Sequence, residues 1–226
     1  MNLSRLESLI GEDGIDRLKH LKVLILGLGG VGGYAVESIA RSGVSNITLV
    51  DGDTIKPSNI NRQIIATVRN NNKYKTKEWK KRIKRINPEA IVNIINTHIT
   101  EDNMEVLFSD NYDYIIDCCD TSKVKIKLVT ECASRNIKLI SSMGMANKMD
   151  ATKIMISTLD KTETDPLAKK IRSELKGKDK ELMKDVRVVY SNEKPINNNM
   201  LGSTAYVPAI AGLYITNIII NDIVSK

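Results

Sequence analysis

Cysteine is scarce in this 226-residue chain: there are three, Cys118, Cys119 and Cys132, and no CxxC pair. A structural zinc site needs thiolates paired at short spacing, so the chain is predicted to hold no zinc. Cys118 and Cys119 are adjacent in an apolar run and read as reduced packing residues, which fits a cytoplasmic location. Histidine is scarcer still. His20 and His98 fall at a helix end and a strand end and read as surface groups, so no catalytic imidazole is required. Long apolar runs are also lacking. The longest, 205–220, is interrupted by Thr216 and Asn217 and is too short to span a bilayer, so no membrane partner is expected. The opening stretch MNLSRLESLIGEDG carries acids and no signal-like apolar segment. No internal repeat occurs, and biased composition is confined to Asn triplets at 70–72 and 197–199.

An apolar content of 42% with 27% charged residues places the chain among ordinary globular proteins. Its net charge of +7 favours polyanionic partners such as nucleic acid, although a lysine-rich proteome gives the same balance.

The order of elements predicts an α/β fold with a Rossmann-like doubly wound sheet. Apolar runs at 22–26, 46–51, 90–96, 112–117 and 137–142 read as strands. Between them lie predicted helices at 31–42, 73–86 and 123–136 and a polar helical stretch after 96. Beyond about residue 150 the pattern changes. Residues 152–158 alternate and read as an antiparallel addition at the sheet edge. Residues 160–200 are charged and expected to be mobile apart from a short basic helix at 165–178. An apolar helix is predicted over 205–224, with Pro208 in its first turn. The expectation is a single domain over 1–226.

The stretch LILGLGGVGGY carries Gly27, Gly29, Gly30 and Gly32 between a strand and a helix. Small residues there let backbone N–H groups and the helix N-terminus approach a phosphate. Asp51 follows Gly32 by nineteen residues, at the end of the next strand, where a carboxylate can accept from ribose hydroxyls. NAD and ATP satisfy both features equally. The next segment, DGDTIKPSNINRQ, separates them. Asn59, Asn61, Arg62 and Gln63 serve no need of hydride transfer, whereas a guanidinium holds phosphate oxygens as charge shifts toward pyrophosphate. The segment 73–85 holds eight Lys or Arg against one Glu: one lysine could reach a triphosphate, and the others form a solvated face or an RNA-facing stripe. In DYIIDCCDTSKVK, Asp117 and Asp120 lie at a strand mouth. Asp120, the farther out, is the better carboxylate for the Mg2+ that accompanies ATP, and Asp117 suits fixing the turn.

Together GLGGVGG, Asp51, NINRQ, a helix lysine and DCCD resemble the ubiquitin-activating-enzyme-like superfamily that includes ThiF and MoeB, whose members adenylate carboxylates with ATP and Mg2+. The resemblance implies phosphate contacts from Arg62 and Lys75, a ribose contact from Asp51 and magnesium on Asp120. It also implies nucleotide contacts from the glycines, Asp53, Asn59, Asn61 and Gln63, and an arginine, Arg5, contributed across a homodimer. Asn72-Lys73 stands where the superfamily has Gly-Gln, which leaves Lys73 beside Lys75 as the active lysine. SRLESLIGEDG, INPEA, DPLAKKIRSELK, VVYSNEKP and GSTAYVPAIAGL are similar to the branch that dehydrates tRNA threonylcarbamoyladenosine, a modified nucleoside beside the anticodon. That branch implies a tRNA partner, permits a cysteine desulfurase partner, and permits a monovalent cation, Na+ or K+, near the nucleotide. It would turn Lys169, Lys170, Arg172, Lys176, Lys178 and Lys180 toward RNA. No cysteine follows Cys132, where thioester-forming and zinc-binding members place theirs. Three other readings compete: an activator of a ubiquitin-like sulfur carrier, an NAD-dependent oxidoreductase and a non-catalytic RNA-binding module.

Overall fold

The protein's computed structural model describes residues 1–175, 177–196 and 200–225. Lys176, the side chain of Lys178 and the second Asn triplet lie outside the described residues. The chain begins with helix α1 (Ser4–His20), then β1 (Lys22–Leu26), α2 (Gly30–Arg41) and β2 (Asn46–Val50). Next come α3 (Lys75–Ile86), β3 (Ile91–Ile95), β4 (Tyr114–Asp117), α4 (Ser122–Ser134) and β5 (Lys138–Ser142). The last third holds β6 (Ile154–Thr158), α5 (Pro166–Glu174), β7 (Arg187–Ser191) and α6 (Val207–Val224). The predicted strands and helices of the first 142 residues are present within a few residues, and the polar stretch after β3 is a 3-10 turn, Met104–Phe108.

The seven strands form one sheet in the order β3-β2-β1-β4-β5-β7-β6, parallel throughout except where β6 pairs antiparallel with β7. Both faces of the sheet are covered, which explains why its central strands read as continuous apolar runs. In β1, Val23 and Ile25 face a core shared with α2 and α6, while Leu24 and Leu26 face the core beneath α4 and α5. β6 is the antiparallel edge strand that its alternation predicts. β7 departs from the sequence reading. It emerges from the charged 160–200 segment, yet Val188, Val189 and Tyr190 are buried and pair β5 with β6. Only five residues of β7 separate charged and polar neighbours, too few for periodicity to register. The basic helix of that segment is α5, which ends at Glu174.

α6 is apolar enough, with mean hydropathy 1.6, to satisfy the length and composition of a membrane span. It is instead a core helix: 56% of it is buried in this chain, and its longest contact is with α2. Gly212 lets the two helices meet. A Cβ there would lie 2.3 Å from the Val31 carbonyl oxygen and 2.9 Å from the Ala35 nitrogen, both backbone atoms that cannot step aside. Gly212→Ala is therefore expected to destabilise by about 1–3 kcal/mol despite alanine's better helix propensity. A lower urea midpoint at unchanged slope would register it, and an unchanged midpoint would refute it.

Candidate functional site

Strand order reverses between β1 and β4, so the loops leaving these two strands splay apart and open a crevice at their carboxyl ends. The crevice is a cavity of about 1080 Å³ whose lining includes the glycine turn and residues from 51–53, 57–63, 118–121 and 142–146. The four glycines divide their work. Gly27 has φ +85, and a Cβ on it would lie 2.8 Å from the Cys118 carbonyl carbon and oxygen. A Cβ on Gly32 would collide with the Gly27 carbonyl oxygen at 1.8 Å. These two close the turn, and Gly27 also lines the cavity. Gly29 and Gly30 line it too, at the N-terminus of α2. The nearest atom to a Cβ on Gly29 is Gln63 Nε2 at 3.7 Å, so the space above that glycine is open to a ligand.

Asp51 fastens the turn to β2. Its Oδ2 accepts from the Leu28 amide at 2.7 Å and its Oδ1 from the Asp53 amide at 2.7 Å. Each oxygen keeps a second lone pair, so a ribose contact remains compatible with this anchoring. Lys75, the first residue of α3, is buried, with its Nζ 2.7 Å from Asp53 Oδ2 and 3.6 Å from Asp51 Oδ2. Lys73 is exposed and outside the cavity wall, which favours Lys75 of the two lysines. Burial would push the Asp53 carboxyl up. The Lys75 hydrogen bond and charge, with His98 and Lys56 nearby, bring it below its ordinary value, so it stays ionised. His98 is exposed, as its sequence context suggests, although it sits at the cavity rim 3.7 Å from Asp53.

The turn at Pro57–Asn59 presents the next group. The Asn59 carbonyl accepts from the amides of Arg62 and Gln63, and Asn59 Oδ1 caps the turn through the Lys56 amide. Arg62 Nη1 donates to the Ser58 carbonyl and to Asn61 Oδ1, both at 2.8 Å, and Asn61 Nδ2 reaches the Ser203 carbonyl. Gln63 Oε1 is buried at the cavity without a hydrogen-bond partner among the described residues. An unpartnered buried amide oxygen facing a polar cavity is what a site for a hydrogen-bonding ligand leaves behind.

The two aspartates after β4 have different surroundings. Asp120 is exposed in the cavity wall. Asp117 is fully buried: Lys125 Nζ donates to its Oδ2 at 2.8 Å, Ser141 Oγ donates to the same oxygen at 2.7 Å, and its Oδ1 accepts from the Cys119 amide. Lys125 also donates to the Ser142 carbonyl at 2.8 Å. The sequence reading missed Lys125. Its signal was a lysine inside the stripe Val124, Leu128, Val129 and Cys132 that α4 buries. It also missed Lys148, whose buried Nζ lies 2.9 Å from Asp165, the N-cap of α5, and so ties the 143–146 wall to that helix.

The thiols in the wall are held protonated. Burial and the Asp117 charge push Cys118 up to about 12, against the opposing charge of Lys125, and Cys119 is pushed up as well. Neither is a thiolate nucleophile at neutral pH. Arg5 is exposed on α1 and is not part of the cavity wall of its own chain. Among the described residues no three His, Cys, Asp or Glu side chains gather as a metal site. A cation here would be held by Asp120 together with substrate oxygens and water, the habit of Mg2+.

Residues 3–221 match the ThiF family. The chain is 40% identical to the tRNA threonylcarbamoyladenosine dehydratase of Bacillus subtilis (strain 168), over 97% of this chain and 93% of that protein. It is 37% identical to the Escherichia coli (strain K12) dehydratase over 74% of this chain and 63% of that one. Crystal structures of the E. coli enzyme, TcdA, superpose on nearly the whole fold. The complex with ATP gives a TM-score of 0.92 at 31% identity over 99% of this chain and 93% of that one. The complex with AMP gives 0.92 at 32%, over 99% and 94%.

Proposed function

The chain belongs to the ThiF family, and from that premise we propose that it is an ATP-dependent dehydratase that adenylates the carboxylate of threonylcarbamoyladenosine in tRNA and cyclises the nucleoside. The observation that carries this reading is the composition of the cavity wall. It offers groups suited to phosphate transfer, Arg62, Lys75 and Asp120, while the two cysteines among its described residues are held protonated by burial.

In this reading ATP lies over Gly29 and Gly30, where the N-terminus of α2 favours its phosphates. Gln63 and Asn59 contact the nucleotide, and Asp51 takes the ribose. Arg62 and Lys75 hold phosphate oxygens. Mg2+ at Asp120 would neutralise charge on the leaving pyrophosphate. A carboxylate oxygen of the substrate attacks the α-phosphorus and pyrophosphate leaves. The neighbouring carbamoyl group then attacks the activated carbonyl carbon, losing a proton, and that oxygen departs with AMP. The substrate supplies both nucleophiles, which agrees with protonated thiols in the wall. Arg5 would come from a second copy of the chain, and its exposure away from its own cavity supports such a homodimer. The same proposal has the protein act on tRNA in the cytoplasm. A monovalent cation near the nucleotide and a cysteine desulfurase partner belong to the same proposal.

The protein, ATP, Mg2+ and tRNA carrying threonylcarbamoyladenosine should yield, on nucleoside mass spectrometry, a product lighter by one water, with one AMP and one pyrophosphate released per conversion. Absence of conversion, with ATP–pyrophosphate exchange that responds instead to a small carrier protein ending in glycine, would assign the cavity to carrier activation.

A further inference from the structure

α3 starts in the nucleotide cavity at Lys75 and leaves it carrying a second feature. Between α3 and the edge strand β3 runs a groove of about 630 Å³ lined by Lys77, Lys80, Lys81, Lys84, Arg85 and Ile94. The helix buries Thr76, Trp79 and Ile83 against the core, which turns these cations outward together. Glu78, the helix's single acid, is already engaged by Lys81 at 2.8 Å, and Arg82 is engaged by Glu37. Among the described residues no carboxylate pairs with Lys77, Lys80, Lys84 or Arg85, and β3, with sequence IVNII, supplies none. Four cations in three turns without counter-charge repel one another, an arrangement that an anionic ligand relieves.

The groove and the cavity are built on the same two elements, α3 and the end of β3. Lys75 in the cavity is two residues from Lys77 in the groove, and Thr97 in the cavity is three from Ile94. Along α3 the cations recur at about each 5.4 Å turn, and Lys75 and Arg85 are separated by roughly 15 Å of helix axis. At the cavity end Tyr74 is 41% exposed, with Lys77 Nζ 5.1 Å from its ring centre, a surface on which a base can stack.

We propose that this face of α3 is a docking track for RNA backbone that leads into the nucleotide cavity, with Tyr74 stacking a base at the cavity end. The proposal rests on the tRNA dehydratase reading and specifies which surface holds the substrate. It moves the principal phosphate contacts from the lysines around 169–180 to α3.

The test is binding of tRNA carrying threonylcarbamoyladenosine to the full chain, measured by fluorescence anisotropy across a salt series. For K80E/K84E/R85E we expect at least a tenfold loss of affinity near physiological salt and a log–log salt slope shallower by about 2, as three phosphate contacts require. ATP affinity by calorimetry should not change, since none of the three lines the cavity. K80Q/K84Q/R85Q, which removes charge without reversing it, should show the same trend less strongly and serves if the reversal variant is poorly folded. Wild-type affinity and slope in both variants would overturn the track while leaving the dehydratase reading intact, provided the wild type converts the tRNA. Loss of the slope in K169E/K170E instead would place the docking on α5 and overturn it. Weakened binding to phosphatidylserine vesicles with unchanged tRNA binding would also overturn it. A wild type that neither binds nor converts the tRNA would defeat the dehydratase reading itself.

Discussion

Replacing Arg62 with alanine is expected to lower the rate of AMP transfer by about 10²–10³-fold, the usual effect of deleting a preorganised donor to developing charge. The side chain is set before substrate arrives. Its Cγ lies 3.7 Å from where a Cβ on Gly30 would stand, across the glycine turn, and Nη1 is fixed by the Ser58 carbonyl and Asn61. Nη1 spends its two N–H groups on those bonds, so three of the five guanidinium donors stay available for phosphate. Arg62→Lys keeps the charge but loses the planar fork and should recover only a small part of the rate. The split between parameters is informative. If Arg62 acts chiefly as charge moves onto pyrophosphate, kcat falls much more than ATP affinity, which calorimetry measures separately. Turnover unaffected by R62A would contradict the assignment and favour a protein that binds RNA and nucleotide without chemistry.

Much of the sheet was legible because its strands are buried on both faces and stand as apolar runs between turn residues. The glycine turn, Asp51 and Arg62 were legible because each chemical demand falls on few residue types at short spacing. What escaped needs contacts distant in sequence. Gly32 belongs to the motif, but only the position of the Gly27 carbonyl reveals that it shapes the turn. β7 is a five-residue strand whose burial depends on β5 and β6, neighbours about thirty to fifty residues away in the chain. Lys75 and Lys73 could not be separated by spacing alone. They separate once α3 docks and carries the first of them into the wall beside Asp53. Lys125 and Lys148 drew no notice in the sequence, because burial of an ammonium makes sense only once its carboxylate, on another element, is in view.

Lys125→Ala should have the largest effect on stability, about 3–5 kcal/mol, because it leaves the Asp117 carboxylate buried and unpaired. The loss would appear as a lower denaturant midpoint. Burial would lower the Lys125 pKa, but the Asp117 charge and hydrogen bond outweigh it and hold the value above the ordinary lysine range. The sign follows from that direction. The pair's contribution is complete below the unfolded lysine pKa of about 10.4 and is lost only as pH rises through the still higher folded value. The deficit of K125A should therefore be level across neutral pH. Asp117→Leu with Lys125→Met separates stability from function. Apolar replacement of a buried pair is often near neutral, so the double variant should recover most of the lost stability. It cannot restore the acceptor that Asp117 Oδ1 offers to the Cys119 amide, and that bond sets the backbone immediately before Asp120. A double variant that is stable but slow, with a raised Mg2+ requirement, would identify the pair as the support that positions Asp120. Full activity in that variant would reduce the pair to packing alone.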